Sequence, residues 1–111
     1  MQPQGHVQVL LNMLVFGLNP QAALDAPRVC IGAGMPGADG KVFDKTVYLE
    51  EGIREEVVER LKELGHHVAV VKGYQRGLFG RGQVIRAHTE DGQTVYSAGS
   101  DPRGDGAAMP L

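Results

Sequence analysis

Val7-Gln8-Val9-Leu10-Leu11-Asn12-Met13-Leu14-Val15-Phe16-Gly17-Leu18-Asn19-Pro20 decides how the rest of the chain is read. Apolar residues crowd the first ten positions and only Gln8 and Asn12 interrupt them, the pattern of a helix buried on nearly every side. Such a helix needs other layers around it. Gly17 supplies a residue that tolerates positive φ and ends the helix, and Asn19-Pro20 reads as an N-cap followed by proline at the first position of a second, short helix. That second helix, Pro20 to Asp25, stops near Ala26, because Pro27 disfavours helical geometry in the residue before it.

Arg28 to Ile31 then reads as a brief strand, and the turn formers from Gly32 to Gly40 as a loop. Val42-Phe43 and Thr46 to Leu49 are strand-like fragments. In Ile53 to Leu64 the residues Ile53, Val57, Leu61 and Leu64 form one helical stripe, with charged residues over the remaining surface and Gly65 as the stop. His67 to Val71 is a strand, Gly73 to Gly82 a glycine-rich connection, and Val84 to Thr89 with Thr94 to Ala98 a hairpin turned at Asp91-Gly92. The tail from Gly99 is irregular. The expected architecture is α+β, a single domain over residues 1–111, with helices packed on a small antiparallel sheet.

The chain has 111 residues and a mass of 11.9 kDa. An unfolded chain of that mass exposes roughly 17,000 Å² and a compact one roughly 6,000 Å², so about two thirds is expected to be buried. Eleven basic and thirteen acidic residues leave a net charge of −2, which argues against nucleic acid or an anionic membrane as partner. Cys30 is the single cysteine, so no internal disulfide forms and the expectation is a packed thiol. The first residues have no basic region or cleavage site of a secretory signal, and the apolar run is too short for the ~20 residues a bilayer requires, so a soluble chain is expected, cytoplasmic if made as it stands.

Gly32-x-Gly34-x-x-Gly37 matches the dinucleotide fingerprint in letters, but Pro36 and Asp39-Gly40 stop a helix from opening behind it, so no cofactor is expected there. Gly73, Gly77, Gly80 and Gly82 with Arg76 and Arg81 have the makings of an anion nest, yet lack the Gly-Lys-Ser/Thr end of a phosphate loop; a strand connection is the favoured reading. His6, His66, His67 and His88 do not have metalloprotease spacing, and no metal is expected. Ser97 and Ser100 are outside any Gly-x-Ser-x-Gly elbow. Arg103-Gly104-Asp105 spells an adhesion tripeptide, but Asp101-Pro102-Arg103 reads equally well as a turn locked by an ion pair.

Gln2 to Leu14 followed by Phe16 to Arg28 resembles the helix pair near the end of γ-glutamyltranspeptidase (glutathione hydrolase) small subunits. Ser100-Asp101-Pro102-Arg103-x-Asp105-Gly106-Ala107-Ala108 resembles the C-terminal signature of the same family, and Leu49 to Ile53 and Gly80 to Ile85 follow its order between them. The resemblance covers essentially the whole chain. It implies part of a four-layer αββα N-terminal-nucleophile hydrolase, made as a longer precursor that cuts itself before a threonine whose hydroxyl is nucleophile and whose α-amine is base.

The threonine, the paired serines, the Gly-Gly of the oxyanion site and the substrate-holding arginine of such enzymes lie upstream of the part matched, and Met1-Gln2 stands where no nucleophile can be assigned. The resemblance therefore carries no catalytic, cofactor-binding or metal residue onto this sequence. It implies a chain inactive alone, completed by a complementary γ-glutamyltranspeptidase chain or by another copy in a homo-oligomer. A binding or assembly module that kept the fold and lost the site is the alternative. A nucleotide-binding module is disfavoured by the missing helix and lysine.

Overall fold

The computed structural model describes residues 1–32 and 44–110; the Gly34 and Gly37 positions of the loop and the Val42-Phe43 fragment lie outside the described residues. The order of elements is α1 (Gln2–Leu14), α2 (Pro20–Asp25), β1 (Val29–Ile31), β2 (Val47–Glu50), α3 (Glu55–Glu63), β3 (Val68–Val71), a 3-10 helix (Gly73–Phe79), β4 (Gln83–Glu90) and β5 (Gln93–Ser100).

The stops and caps are where the residue types demand them. Gly17 has φ of +69° after α1, and Gly65 has φ of +89° after α3. The Asn19 side chain accepts the Ala22 amide at 2.8 Å and Pro20 opens α2, so an amide with no partner inside the helix is satisfied. Asp91 and Gly92 both have positive φ and turn β4 into β5, as a two-residue hairpin loop requires.

β1, β2 and β3 form one sheet and β4 with β5 a second. The α+β class holds and both hairpin-type pairings, β1 with β2 and β4 with β5, are antiparallel. One junction differs from the sequence reading: β2 and β3 are parallel, Val47 opposite Val68 and Leu49 opposite Val70. The reason is α3, which crosses between them and returns the chain to the same end of the sheet. Val47, Leu49 and Val58 are buried between sheet and α3, with Val29, Ile53, Leu61 and Val68 around them. Cys30, Val71 and Phe79 pack on the other face with Met1 and Tyr48, so Cys30 is the packed thiol expected.

Three further expectations change. The glycine-rich connection from Gly73 is a 3-10 helix as far as Phe79, pinned by the buried Phe79 ring and by Arg76 Nε donating to the Gly73 carbonyl at 3.1 Å. The accessible surface is 8,036 Å² rather than about 6,000 Å², so this chain leaves far more surface open than its mass predicts. The third concerns α1, which is not buried all round.

In α1 the half-buried positions are Met1, Gln4, Gly5, Gln8, Val9 and Asn12, with Met13 fully buried: one stripe at helical spacing. Its polar members are turned to the body of the chain. The opposite stripe, Val7, Leu10, Leu11 and Leu14, continues into Val15 and Phe16, and these six residues are 45% to 70% exposed. The helix is amphipathic with its hydrophobic side outward.

The inward glutamines have partners that explain this. Gln8 accepts the Val29 amide at 2.7 Å and donates to the Val29 carbonyl at 2.8 Å; Gln4 does the same for Ile31 at 2.8 and 3.1 Å. Two side-chain amides four residues apart on a helix thus replace a neighbouring strand along the free edge of β1. Gln21 on α2 treats Ser100 likewise, at 3.0 and 2.9 Å, at the end of β5.

Candidate functional site

The tail meets the body at a cluster of four charged side chains that are almost wholly buried: Arg28, Glu50, Asp101 and Arg103. Arg28 lies between α2 and β1, Glu50 ends β2, and Asp101 and Arg103 follow β5, so four segments distant in sequence converge. Such burial is tolerable only if every charge is paired and hydrogen-bonded.

Arg103 uses all five of its donors. Its Nε donates to Glu50 Oε1 at 2.7 Å and its Nη2 to Glu50 Oε2, a bidentate fork. Nη1 donates to Asp101 Oδ1 at 3.0 Å and to the Leu24 carbonyl at 2.8 Å, and Nη2 also to the Ala26 carbonyl at 3.1 Å. The last two bonds satisfy carbonyls at the end of α2.

Asp101 is saturated as an acceptor. Oδ1 takes the Arg103 amide at 3.0 Å besides Nη1; Oδ2 takes Arg28 Nη2 at 2.7 Å and the Gly82 amide at 2.8 Å. Burial by itself pushes its carboxyl up, but the bonds from Arg103, Arg28 and Gly82 outweigh it and hold the group below its ordinary value. Burial likewise pulls the Arg103 guanidinium down, and Glu50 and Asp101 more than reverse it. Arg28 adds bonds from Nη1 to the Phe79 carbonyl at 3.2 Å and from its own amide to Glu50 Oε2 at 2.8 Å.

With both carboxylates held by guanidinium groups, neither is available as a base or nucleophile. The cluster's chemistry is that of a clasp. Asp101 and Arg103 stand where the sequence places them, fastened together and to the body. Arg28 and Glu50 are the partners sequence reasoning missed. Their signal is faint: Glu50 extends a strand pattern on the phase opposite the buried Leu49 and is followed by the exposed Glu51.

The remaining candidates are scattered. His88 bonds Glu90 at 3.0 Å and His67 bonds Thr46 at 3.0 Å, while His6 and His66 are exposed. Among the described residues no three His, Cys, Asp or Glu side chains come together as metal ligands. No helix among the described residues is long and apolar enough to cross a membrane. Arg76 and Arg81 line a cavity beside the tail.

The helices and strands match part of an N-terminal-nucleophile hydrolase. The gamma-glutamyltranspeptidase family model matches residues 1–111, and the chain belongs to that family. A glutathione hydrolase-like proenzyme of Bacillus subtilis is 32% identical over 110 residues, 99% of this chain but 19% of the relative. Cephalosporin acylase from Bacillus halodurans is 39% identical with a TM-score of 0.72, over 95% of this chain and 17% of that one. Gamma-glutamyltranspeptidase of Helicobacter pylori superposes with a TM-score of 0.72 at 19% identity, over 92% of this chain and 48% of that one, a likeness of fold. The chain therefore spans about a fifth of the curated relative.

Proposed function

We propose that residues 1–111 serve γ-glutamyl transfer or hydrolysis of glutathione-type substrates as the supporting C-terminal part of the catalytic fold, and that the nucleophile comes from a segment outside them. The observation that carries this reading is the outward hydrophobic stripe of α1, Val7, Leu10, Leu11 and Leu14 with Val15 and Phe16. A helix whose glutamines already bind its own sheet edge has an apolar face left for another layer. Membership of the family and the one-fifth span of the relative agree with it.

In this reading no residue of 1–111 acts as nucleophile, cofactor ligand or metal ligand. Cys30 is buried, and the two best-placed carboxylates are locked in the clasp. The role left to the chain is mechanical: α1 backs the site, and the clasp fixes the tail and the hairpin against it. Acyl transfer needs an activated nucleophile and oxyanion donors, which the complementary segment supplies.

The test is release of nitroaniline from a γ-glutamyl anilide. The purified chain alone releases none above background, and mixing it with a nucleophile-bearing remainder of a family member restores release. Turnover by the chain alone after repurification overturns the reading. A chain that neither binds nor activates the remainder also overturns it, in favour of a stand-alone binding or assembly module.

A further inference from the structure

We propose that the cavity between the 3-10 helix and the tail binds a small oxyanion, a carboxylate or phosphate group, on Arg81 and Arg76. The cavity measures about 450 Å³ and is lined by Tyr74, Arg76, Arg81, Arg103, Gly104 and Asp105 among others. Four guanidinium groups, Arg28, Arg76, Arg81 and Arg103, gather in this corner around two buried carboxylates, Glu50 and Asp101. Those carboxylates are taken: Asp101 accepts four hydrogen bonds, and Glu50 holds the Arg103 fork and the Arg28 amide.

Arg76 reaches Glu50 Oε1 only at 3.8 Å, beyond hydrogen-bond distance, and its Nε is spent on Gly73, which leaves its Nη groups open. Arg81 has no carboxylate within 4 Å among the described residues, and its side chain is exposed. Its stem lies across Gly104, where a Cβ would stand 3.0 Å from Arg81 Cδ, so the glycine lets the guanidinium rest at the cavity wall. Asp105 lies on the rim and Glu51 takes the Gly73 amide at 3.4 Å, so what the corner offers an anion is the open guanidinium groups of Arg76 and Arg81 and not an excess of positive charge. A planar guanidinium fork matches the two oxygens of a carboxylate or phosphate. Two available forks in a concave site of this size suit a small anion and not a polyanionic backbone, which asks for a longer basic track.

Titration of the whole chain with inorganic phosphate, and separately with succinate, at ionic strength held constant with chloride, tests the proposal through amide chemical shifts. Saturation is expected with shifts centred on residues 73–81 and 102–105; phosphate alone saturating identifies a phosphate group, succinate alone a carboxylate. Arg81→Gln weakens the binding at least about tenfold. Asp105→Asn moves it the other way and tightens it, because a like charge leaves the rim. Both side chains are exposed, and unchanged thermal melts establish that the variants fold. Failure of both anions to saturate, or equal binding by Arg81→Gln and wild type, overturns the site whether or not the chain supports γ-glutamyl transfer.

Discussion

Gln8 binds both backbone groups of Val29 through one side chain, its Oε1 taking the amide at 2.7 Å and its Nε2 giving to the carbonyl at 2.8 Å. The pair ties α1 to the sheet at its free edge. It also fixes how α1 is rotated, because Gln4, Gln8 and Asn12 then face inward and Val7, Leu10, Leu11 and Leu14 must face out.

Gln8→Ala therefore destabilises the chain by about 1–3 kcal/mol, since two half-buried backbone groups lose their partners together. Helix propensity works against this loss, as alanine is the better helix former, so the sign is diagnostic. Gln2→Ala on the exposed side of the same helix is the control and stays within about 0.5 kcal/mol. Urea unfolding of the three proteins decides; equal midpoints would mean the glutamine ladder contributes nothing.

The buried clasp makes a larger prediction. Asp101→Ala leaves Arg28 and part of Arg103 without a carboxylate, and Arg103→Ala strips Glu50 of its fork. Each costs about 3–5 kcal/mol, because an uncompensated buried charge remains. The double variant costs less than the sum, as each substitution has already removed what the other would lose. Unfolding midpoints close to wild type in all three would mean that the tail is loose.

How much of this was legible in the sequence depends on the range of the interaction. Asn19-Pro20, Gly17, Gly65 and Asp91-Gly92 act within a few residues, and each does locally what its chemistry requires. The Asp101–Arg103 lock is local too, and was readable as a turn. Its partners are 53 and 73 residues away along the chain, and nothing near Glu50 or Arg28 marks them. The open side of α1 departs from the expected burial on nearly every side for a related reason. Hydrophobicity says which residues need cover, but a glutamine's two-sided bond to a strand edge has no hydropathy signature.

The lowered Asp101 carboxyl sets a pH dependence. A carboxyl whose folded value lies below its unfolded one adds stability that is complete above the ordinary value of 3.8 and is lost as the pH falls through the lower folded value. Wild type is therefore expected to lose stability steeply below about pH 4, and Asp101→Asn, already weakened, to show a shallower fall over the same range. Thermal melts in steps from neutral to strongly acidic buffer measure both curves; parallel curves would remove Asp101 as a cause.

Gly99 gives a purely steric prediction. β5 lies against α2 so closely that a Cβ at Gly99 would stand 2.8 Å from the Gln21 backbone nitrogen and 2.9 Å from its Cα. The obstacle is backbone at the start of a helix and cannot swing aside. Gly99→Ala therefore costs about 1–3 kcal/mol by overpacking and loosens the Gln21–Ser100 bonds beside it. Retention of slow amide exchange at Ser100 in the variant would show that the contact yields easily.

The last prediction concerns what the outward face of α1 does when no complementary segment is present. Val7, Leu10, Leu11, Leu14, Val15 and Phe16 form one continuous apolar stripe that water must otherwise cover. The purified chain should therefore self-associate through this stripe, and light scattering should report a dimer or larger species at micromolar concentration. Leu10→Glu with Leu14→Lys places charges on that stripe while leaving the Gln4, Gln8 and Asn12 contacts untouched, so the variant should be a folded monomer. The same variant should fail to join a nucleophile-bearing remainder, because association with it and with a second copy would use one surface. A monomeric wild type that binds no dye for exposed apolar surface would mean the stripe is covered in some other way, and the pairing role given to α1 would fall with it.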